Sequence, residues 1–390
     1  MRTELNLLIN SMGGGGAERQ VSYLYKSGLI KNINVLQNDC SYEIDKGDIF
    51  PLLGSEFSLS LKGIVTTLVF GPFLFSKRLK ENGKVLSFLE LSNFINILSK
   101  IFKPHEAYVS VRISPNFYDK KRLGFLYLFL MKWLYPYAIK IITNSEQCRL
   151  DLLNLLKVDG DQIIVIKNAI DIERILELNK IGETLDKPTM GNDFVTIGRL
   201  SYQKNYPAML RIFSSLLKEI PGSRLFIVGN GEERDSLITL AESLGLRVCE
   251  NRDESGEVFF LGFQENPYQF ISKDSVFLLT SHYEGLPNVL LEAMACGSFI
   301  VSSDCKTGPK EILEGTLSNT DNNNFSPIKS NGLLLPVPID YETEKVWTRE
   351  IKKVLKNTML LKEIRNNAQV SSYNYHHDKI IKAWENLIHS

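Results

Sequence analysis

The chain has 390 residues, 44% hydrophobic and 23% charged, which suits a globular protein of two domains that each bury a full core. Lysine and arginine total 45 and aspartate and glutamate 45, a balance that argues against a dedicated nucleic-acid binder. The five cysteines (Cys40, Cys148, Cys249, Cys296 and Cys305) are odd in number, scattered and without a C-x-x-C pair, which speaks against a disulfide framework and against structural zinc. The zero net charge is unevenly spread. Residues 1–175 carry 22 Lys/Arg against 17 Asp/Glu, and the remainder 23 against 28, so the first half is mildly suited to an anionic membrane surface.

From Met1-Arg-Thr the chain enters a strand-like run with no leader-like profile, so a reducing cytoplasm is the simplest expectation. Leu5–Asn10 reads as a buried strand, followed by Gly13-Gly-Gly-Gly16 and a helix opening at Ala17-Glu18. Short apolar runs follow at Asn34–Leu36, Val85–Leu89, Tyr108–Val111, Ile139–Thr143 and Ile163–Ile166, most of them separated by helical stretches. Residues 168–192 turn polar and irregular and read as a connection. The pattern then restarts with Phe194–Ile197, a loop through Gly198-Arg-Leu-Ser-Tyr-Gln-Lys204, a helix Leu210–Ile220 and a strand Arg224–Val228. Glu257–Leu261, Ser275–Thr280 and Ser298–Ser302 continue it. Thr316–Ser330, rich in Asn, Ser and Thr, reads as a surface loop, and helices run from there to Asp378–Ile388. Short buried strands alternating with helices predict an α/β fold of two doubly wound parallel sheets with a cleft between them. The expected boundaries are 1–170, a connection 171–192, a second domain 193–368, and a final segment 369–390.

Two apolar stretches fall short of a membrane span, which needs about 20 uninterrupted apolar residues. Leu123–Ile139 is broken by Lys132 and Pro136, and Ile64–Phe75 is too short. A core helix is the ordinary reading of each. Interfacial docking is the sharper one, because Lys120-Lys-Arg122 and Lys77-Arg78 flank them with positive charge.

The stretch Ser281-His-Tyr-Glu-Gly-Leu-Pro-Asn-Val-Leu-Leu-Glu-Ala-Met-Ala-Cys-Gly297 carries most chemistry. Pro287 suits the first helical position and Gly297 the stop. Glu292 falls inside this apolar helix, on the face of Asn288 and Cys296, and a buried carboxylate needs a partner. Glu284 falls just before the helix, whose N-terminal N–H groups favour an anion. Arg199 and Lys204 follow the first strand of the second half, where strand ends face a ligand crevice, and two cations there can neutralise a diphosphate. Gly13–Gly16 lacks the third glycine of G-x-G-x-x-G, since Glu18 stands in its place, and no Gly-Lys-Ser/Thr follows. It fits either a tight turn or a loop that lets a ligand approach the backbone. Asp159-Gly-Asp161 reads as a turn, not a metal site. The histidines do not cluster at ligand spacing in sequence, and no Ser–His or Cys–His arrangement is evident.

These residues resemble a known group. Glu284-x7-Glu292 is similar to the E-x7-E motif of family 4 retaining glycosyltransferases, and Gly198-Arg-Leu with Lys204 to their donor-phosphate motif. Gly229-Asn-Gly231-Glu232, Phe260-Leu-Gly-Phe263 and Gly13–Gly16 with Ala17-Glu18-Arg19 resemble further landmarks. Ser303–Ile312 resembles the segment after that helix in bacterial O-antigen and capsule transferases. The likeness is strong over 194–312 and thinner over 20–135.

The resemblance implies the GT-B fold, with a C-terminal helix near Tyr373–Ile388 crossing back to the first domain. It implies transfer of a hexose or N-acetylhexosamine from a UDP-sugar, with retention and without an essential metal. The acceptor would be a lipid-linked saccharide in bacterial surface polysaccharide synthesis. By that mapping Arg199 and Lys204 hold the diphosphate, Glu292 the ribose and Glu284 a donor-sugar hydroxyl. Gly285, Leu286, Pro287 and Asn288 hold sugar and phosphate, Phe263 lies near the base, and Gly15, Gly16 and Gly229 border the donor. The catalytic set is Glu284, Arg199 and Lys204. Glu18 and Arg112 are assigned to the acceptor side. Arg112 stands where many members carry a histidine, and it could meet an acceptor phosphate, the donor sugar, or only a surface salt bridge. The expected place is the cytoplasm, peripheral on the inner face of the plasma membrane. A UDP-sugar epimerase on the same fold and a non-catalytic subunit of an assembly complex are the competing readings.

Overall fold

The computed structural model describes residues 5–53, 60–120, 123–182, 193–252, 255–314 and 327–389. Lys121 and Arg122 of the basic flank, and residues 316–326 of the expected surface loop, lie outside them. The chain divides into two compact units, Met1–Ala169 with His377–Ser390, and Ile170–His376.

The first unit is a seven-stranded sheet in the order β3-β2-β1-β4-β5-β6-β7, every neighbour parallel. Its strands are β1 (Leu5–Ile9), β2 (Ile30–Val35), β3 (Ile49–Pro51), β4 (Lys84–Phe88), β5 (Glu106–Val111), β6 (Lys140–Thr143) and β7 (Ile163–Val165). Its helices are α1 (Gly16–Lys26), α2 (Leu61–Ser76), α3 (Glu90–Ser99), α4 (Gly124–Leu134) and α5 (Glu146–Leu155). The chain winds one way from β1 to β3 and the other way from β4 to β7. Right-handed crossovers therefore put α1 on one face and α2 to α5 on the other.

The second unit is an eight-stranded sheet in the order β10-β11-β9-β8-β12-β13-β15-β14, antiparallel only at its β14–β15 edge. It contains β8 (Asp193–Ile197), β9 (Arg224–Val228), β10 (Val248–Cys249), β11 (Val258–Phe260), β12 (Val276–Leu279), β13 (Phe299–Ser303), β14 (Ile328–Lys329) and β15 (Gly332–Leu335). Its helices are α6 (Ile172–Gly182), α7 (Tyr206–Glu219), α8 (Arg234–Ser243), α9 (Asn288–Ala295), α10 (Pro309–Glu314), α11 (Tyr341–Leu355) and α12 (Thr358–Ser372). Both faces of this sheet are apolar because its strands alternate between two cores. Phe194, Val276, Leu278, Phe299 and Val301 face one. Val195, Phe277, Leu279 and Ile300 face the other. That is the period of two expected for a parallel sheet covered on both sides.

The parallel-sheet α/β architecture matches the expectation, with three local differences. The polar stretch after residue 168 holds α6, whose Ile172 and Ile175 are buried in the second unit's core. The expected loop 316–330 ends in the strand β14, and β15 follows it. Pro287 caps α9 with an extended backbone, φ −72° and ψ 108°, so the first helical residue is Asn288. No helix among the described residues is long and apolar enough to cross a membrane.

The chain returns to the first unit through α13 (His377–His389). This helix lies in the core shared by β1, β2 and α1. Trp384 is 2% exposed there, its ring centroid 5.8 Å from that of Phe88. Trp384→Ala is expected to destabilise the full chain by about 3–5 kcal/mol, the range for emptying a large aromatic site. Urea unfolding measures it, and an unchanged midpoint would show that α13 contributes no packing.

Candidate functional site

The strand order of the second unit decides where its loops meet. From β8 the chain moves outward to β9 and then returns across β8 to β12, so β8 and β12 are neighbours although Phe194 and its partner Val276 stand 82 positions apart in the sequence. A reversal of this kind is where open α/β sheets bind ligands, at the carboxyl ends of the strands. The loop after β8 carries Arg199 and Lys204, and the loop after β12 carries Glu284.

These loops are tied together. Lys204 Nζ lies 2.8 Å from Glu284 Oε1, with the side chains only 16% and 7% exposed. Ser281 Oγ donates to the same oxygen at 2.6 Å, and Gln203 Nε2 donates to Glu284 Oε2 at 3.4 Å and to the Tyr283 carbonyl at 2.9 Å. Thr307 Oγ1 donates to the Glu284 carbonyl and Ser303 Oγ to that of Ser281. The His282 N–H donates to the Gln203 carbonyl, and the His282 ring stacks on Tyr202 at 4.7 Å. Thr280 Oγ1 donates to the Lys204 carbonyl at 2.9 Å. The carboxylate of Glu284 is thus held by a cation and neutral donors, the condition under which a buried charge is tolerated.

Glycines let the backbones close around this point. Gly308 has φ +86°, and a Cβ there would sit 2.0 Å from the Gly285 carbonyl oxygen. Gly229 has φ +138°, and a Cβ would sit 2.0 Å from the Gly198 carbonyl oxygen. The Gly229 N–H donates to the Gly262 carbonyl and the Gly198 N–H to that of Val228, which draws the loops after β8, β9 and β11 together.

Arg199 is 75% exposed at its side chain, with Nε 3.1 Å from Glu232 Oε2. The Glu232 carboxyl is held below its usual range by its own backbone N–H and by Arg199. Glu233 beside it is pushed up by burial and by Glu232, and its Oε2 has no hydrogen-bond partner among the described residues. Phe263 is 76% exposed. Leu286 and Asn288 are buried at the start of α9, and Glu292 is buried one turn on, near Cys296, whose thiol is pushed up by burial and by Glu292. Cys305 is pushed up to about 12 by burial and by Glu284. Both thiols are poor nucleophiles for that reason. His376 pairs with Glu173 at 2.9 Å.

In the first unit Gly15 caps α1, and the Tyr42 hydroxyl donates to its carbonyl at 2.7 Å. Gly16 begins the helix, and the Glu18 side chain folds back so that a Cβ on Gly15 would lie 2.2 Å from Glu18 Oε2. Burial, aided by Asp39, lifts the Glu18 carboxyl above its ordinary value. Arg112 is not the surface ion pair that one reading of the sequence allowed. It is 6% exposed and donates to Ser110 Oγ at 3.3 Å and to Asn168 Oδ1, with its guanidinium carbon 5.5 Å from the Phe88 ring centre. Burial pulls it down to about 10.

Sequence reasoning identified Lys204 and Glu284 but not that they touch, and it missed Gln203, Ser281 and Thr307. Ser281 and Thr307 stand inside the motif segments, three positions before Glu284 and two after Cys305. Nothing in their spacing tells a hydroxyl that grips a carboxylate or carbonyl from one that faces water.

Comparison with known proteins adds the family. Residues 179–371 match the model described as Glycosyl transferases group 1. The N-acetylgalactosamine-N,N'-diacetylbacillosaminyl-diphospho-undecaprenol 4-alpha-N-acetylgalactosaminyltransferase of Campylobacter jejuni is 29% identical, over 82% of this chain and 87% of its own. The amylovoran biosynthesis glycosyltransferase AmsD of Erwinia amylovora is 24% identical over 99% of both chains. Anabaena HepE, solved in complex with UDP, superposes with a TM-score of 0.72 at 17% identity over 99% of each chain, which shows a shared fold.

Lys204→Met should leave Glu284 buried without its counter-charge and cost about 3 kcal/mol of stability. Adding Glu284→Gln should return part of it. Denaturant midpoints of the two variants test this, and equal stability of Lys204→Met and the unaltered protein would refute a buried pair.

Proposed function

The chain carries a glycosyl transferases group 1 domain and is a glycosyltransferase; from that premise we propose that it moves a hexose or N-acetylhexosamine from a UDP-sugar to a lipid-linked saccharide, with retention, in bacterial surface polysaccharide synthesis. The observation that carries the donor half is the Lys204–Glu284 pair at the ends of β8 and β12. It puts a cation for phosphate and an acceptor for a sugar hydroxyl 2.8 Å apart. The UDP complex of HepE favours the uridine donor, and the diphospho-undecaprenol in the name of the Campylobacter relative favours the lipid-linked acceptor. On this reading the chain works in the cytoplasm at the inner face of the plasma membrane.

The chemistry follows from charge. Departure of the donor's diphosphate concentrates negative charge on phosphate oxygens, and prearranged cations lower the barrier most when they face that charge. Lys204 and Arg199 take this part, with Arg199 turning from Glu232 to the diphosphate, and no metal is assigned a role. Glu284 accepts from a sugar hydroxyl, Glu292 from the ribose, and the backbone of Gly285–Asn288 donates to sugar and phosphate. Gly229 and Phe263 border the nucleotide, and Gly15 and Gly16 border the sugar. Glu18 and Arg112 serve the acceptor, the latter as a buried cation whose described partners are neutral. Of the two routes to retention, the one favoured for the family is front-face attack, in which the leaving phosphate helps take the acceptor proton. Glu284 is then a binding group, not the nucleophile of a two-carboxylate glycosidase.

A screen of UDP-sugars by UDP release, with and without polyprenyl-diphosphate saccharides, tests the proposal. Release that needs both substrates and an α-linked product are expected. Turnover of donor alone would indicate an isomerase on the same fold, and no turnover by folded protein would indicate a non-catalytic subunit. Arg199→Ala is expected to weaken UDP binding by about 10- to 100-fold, the range for losing a charge-assisted hydrogen bond. Unchanged affinity by calorimetry would remove Arg199 from the site.

A further inference from the structure

The outer surface of α2 and α4 is apolar where a water-facing helix should be polar. On α2 the outward positions run Lys62, Val65, Thr66, Val69, Phe70, Phe73 and, just past its end, Lys77. Val69 and Phe70 are 58% and 57% exposed. On α4 and the turn after it they run Phe125, Phe129, Lys132, Trp133 and Tyr137, with Phe125 at 75% and Trp133 at 65%. Between them the loop after α3 adds Phe102, whose ring meets Phe73 at 5.6 Å. The helices share one side of the sheet, and Leu68 of α2 and Tyr127 of α4 pack against the same two cores. Exposed apolar area on this scale marks an interaction surface.

Charge says what covers it. Residues 60–80, 99–105 and 123–140 contain eight Lys/Arg between them and no Asp or Glu. Lys77 Nζ stands 4.3 Å above the Phe73 ring, at the border of the apolar stripe. Lysines rimming aromatic and aliphatic side chains are the composition of a helix lying in a bilayer interface, where the rings sink below headgroups and the amines meet phosphate. A second copy of the chain would bring like charges together across the same face.

We propose that α2, α4 and the loop after α3 dock the first unit on an anionic lipid surface, with Phe70, Phe73, Phe125, Phe129 and Trp133 inserted and Lys62, Lys77 and Lys132 at headgroup level. The docking gives a physical basis for the membrane-face placement in the proposed function, but it rests on the exposed apolar faces and not on the donor reading.

The test floats the full chain, without detergent, with vesicles of phosphatidylcholine alone or of phosphatidylcholine mixed with phosphatidylglycerol. Co-flotation with the mixed vesicles, reduced by salt, is expected. Phe70→Glu with Phe129→Glu should abolish it, and Lys62→Gln with Lys77→Gln should weaken it by about fivefold per lysine. Both variants should keep the far-UV circular dichroism and the urea midpoint of the unaltered protein, which shows that they fold. No preference for anionic vesicles, or binding indifferent to these variants, overturns the proposal. So does a dimer in solution broken by Phe70→Glu without vesicle binding, which would give the face to a second copy. The vesicles carry no saccharide acceptor and the readout is flotation, so the result is independent of whether sugar is transferred from UDP.

Discussion

The adjacency of β8 and β12 is the constraint on which the second unit's chemistry depends. Strands that are neighbours in the sheet but distant in the chain bring two unrelated loops to one edge. Each loop supplies half of what a charged ligand needs. One alone would offer a solvated lysine, the other a carboxylate costly to bury. Joined, they hold Lys204 against Glu284, and Ser281 and Gln203 complete the carboxylate's hydrogen bonds. An ion pair of this kind adds little net stability over an apolar pair of the same shape, because desolvation offsets the attraction. The pair sits among further polar groups, Ser281, Gln203 and Thr307, and not within the apolar clusters, so packing alone does not explain it.

The same logic accounts for the tight turns. Loops that must lie side by side at a strand edge leave no room for Cβ atoms where carbonyls pass, and glycine stands at Gly229 and Gly308 for that reason. A wider turn at either place would part the loops and lengthen the distance from Lys204 to Glu284. Backbone conformation, ion pair and strand order are thus one arrangement seen at three scales.

Most of the parallel strands were legible because each is a short apolar run buried on both faces, and Arg224–Val228 coincides with β9 to the residue. Most of what escaped is short or lies at an edge, while β15, an interior strand of four buried residues, fell in the stretch after the loop that was read as helical. β3, β10 and β14 have three, two and two residues, too few to show a period. α6 was hidden by polar neighbours, although Ile172, Ile175 and Leu176 keep a helical spacing and pack into the core. Of the site, the charged residues could be read because they follow predicted strands and stand at the spacing of a known motif. Their mutual contact could not, since it depends on a sheet order that no local pattern records. Arg112 makes the same point. Its burial over Phe88 follows from the neighbouring strands β4 and β5, not from the residues on either side of it.

The first unit shows how an apolar helix can be explained by the fold on one face only. α3 is buried along nearly its whole length, and its asparagines serve the sheet: Asn93 donates to the Ser110 carbonyl and Asn96 to that of Tyr108. A helix buried this way needs cover on its far side. α2 supplies it, passing so close that a Cβ on Gly71 would lie 3.2 Å from Ile95. Packing therefore accounts for Ile64, Thr67, Gly71 and Phe75, the inward positions of α2. It does not account for Val65, Val69, Phe70 and Phe73, which touch water and could be polar at no cost to the core. Folding thus explains one side of α2 and leaves the other to a partner outside the chain.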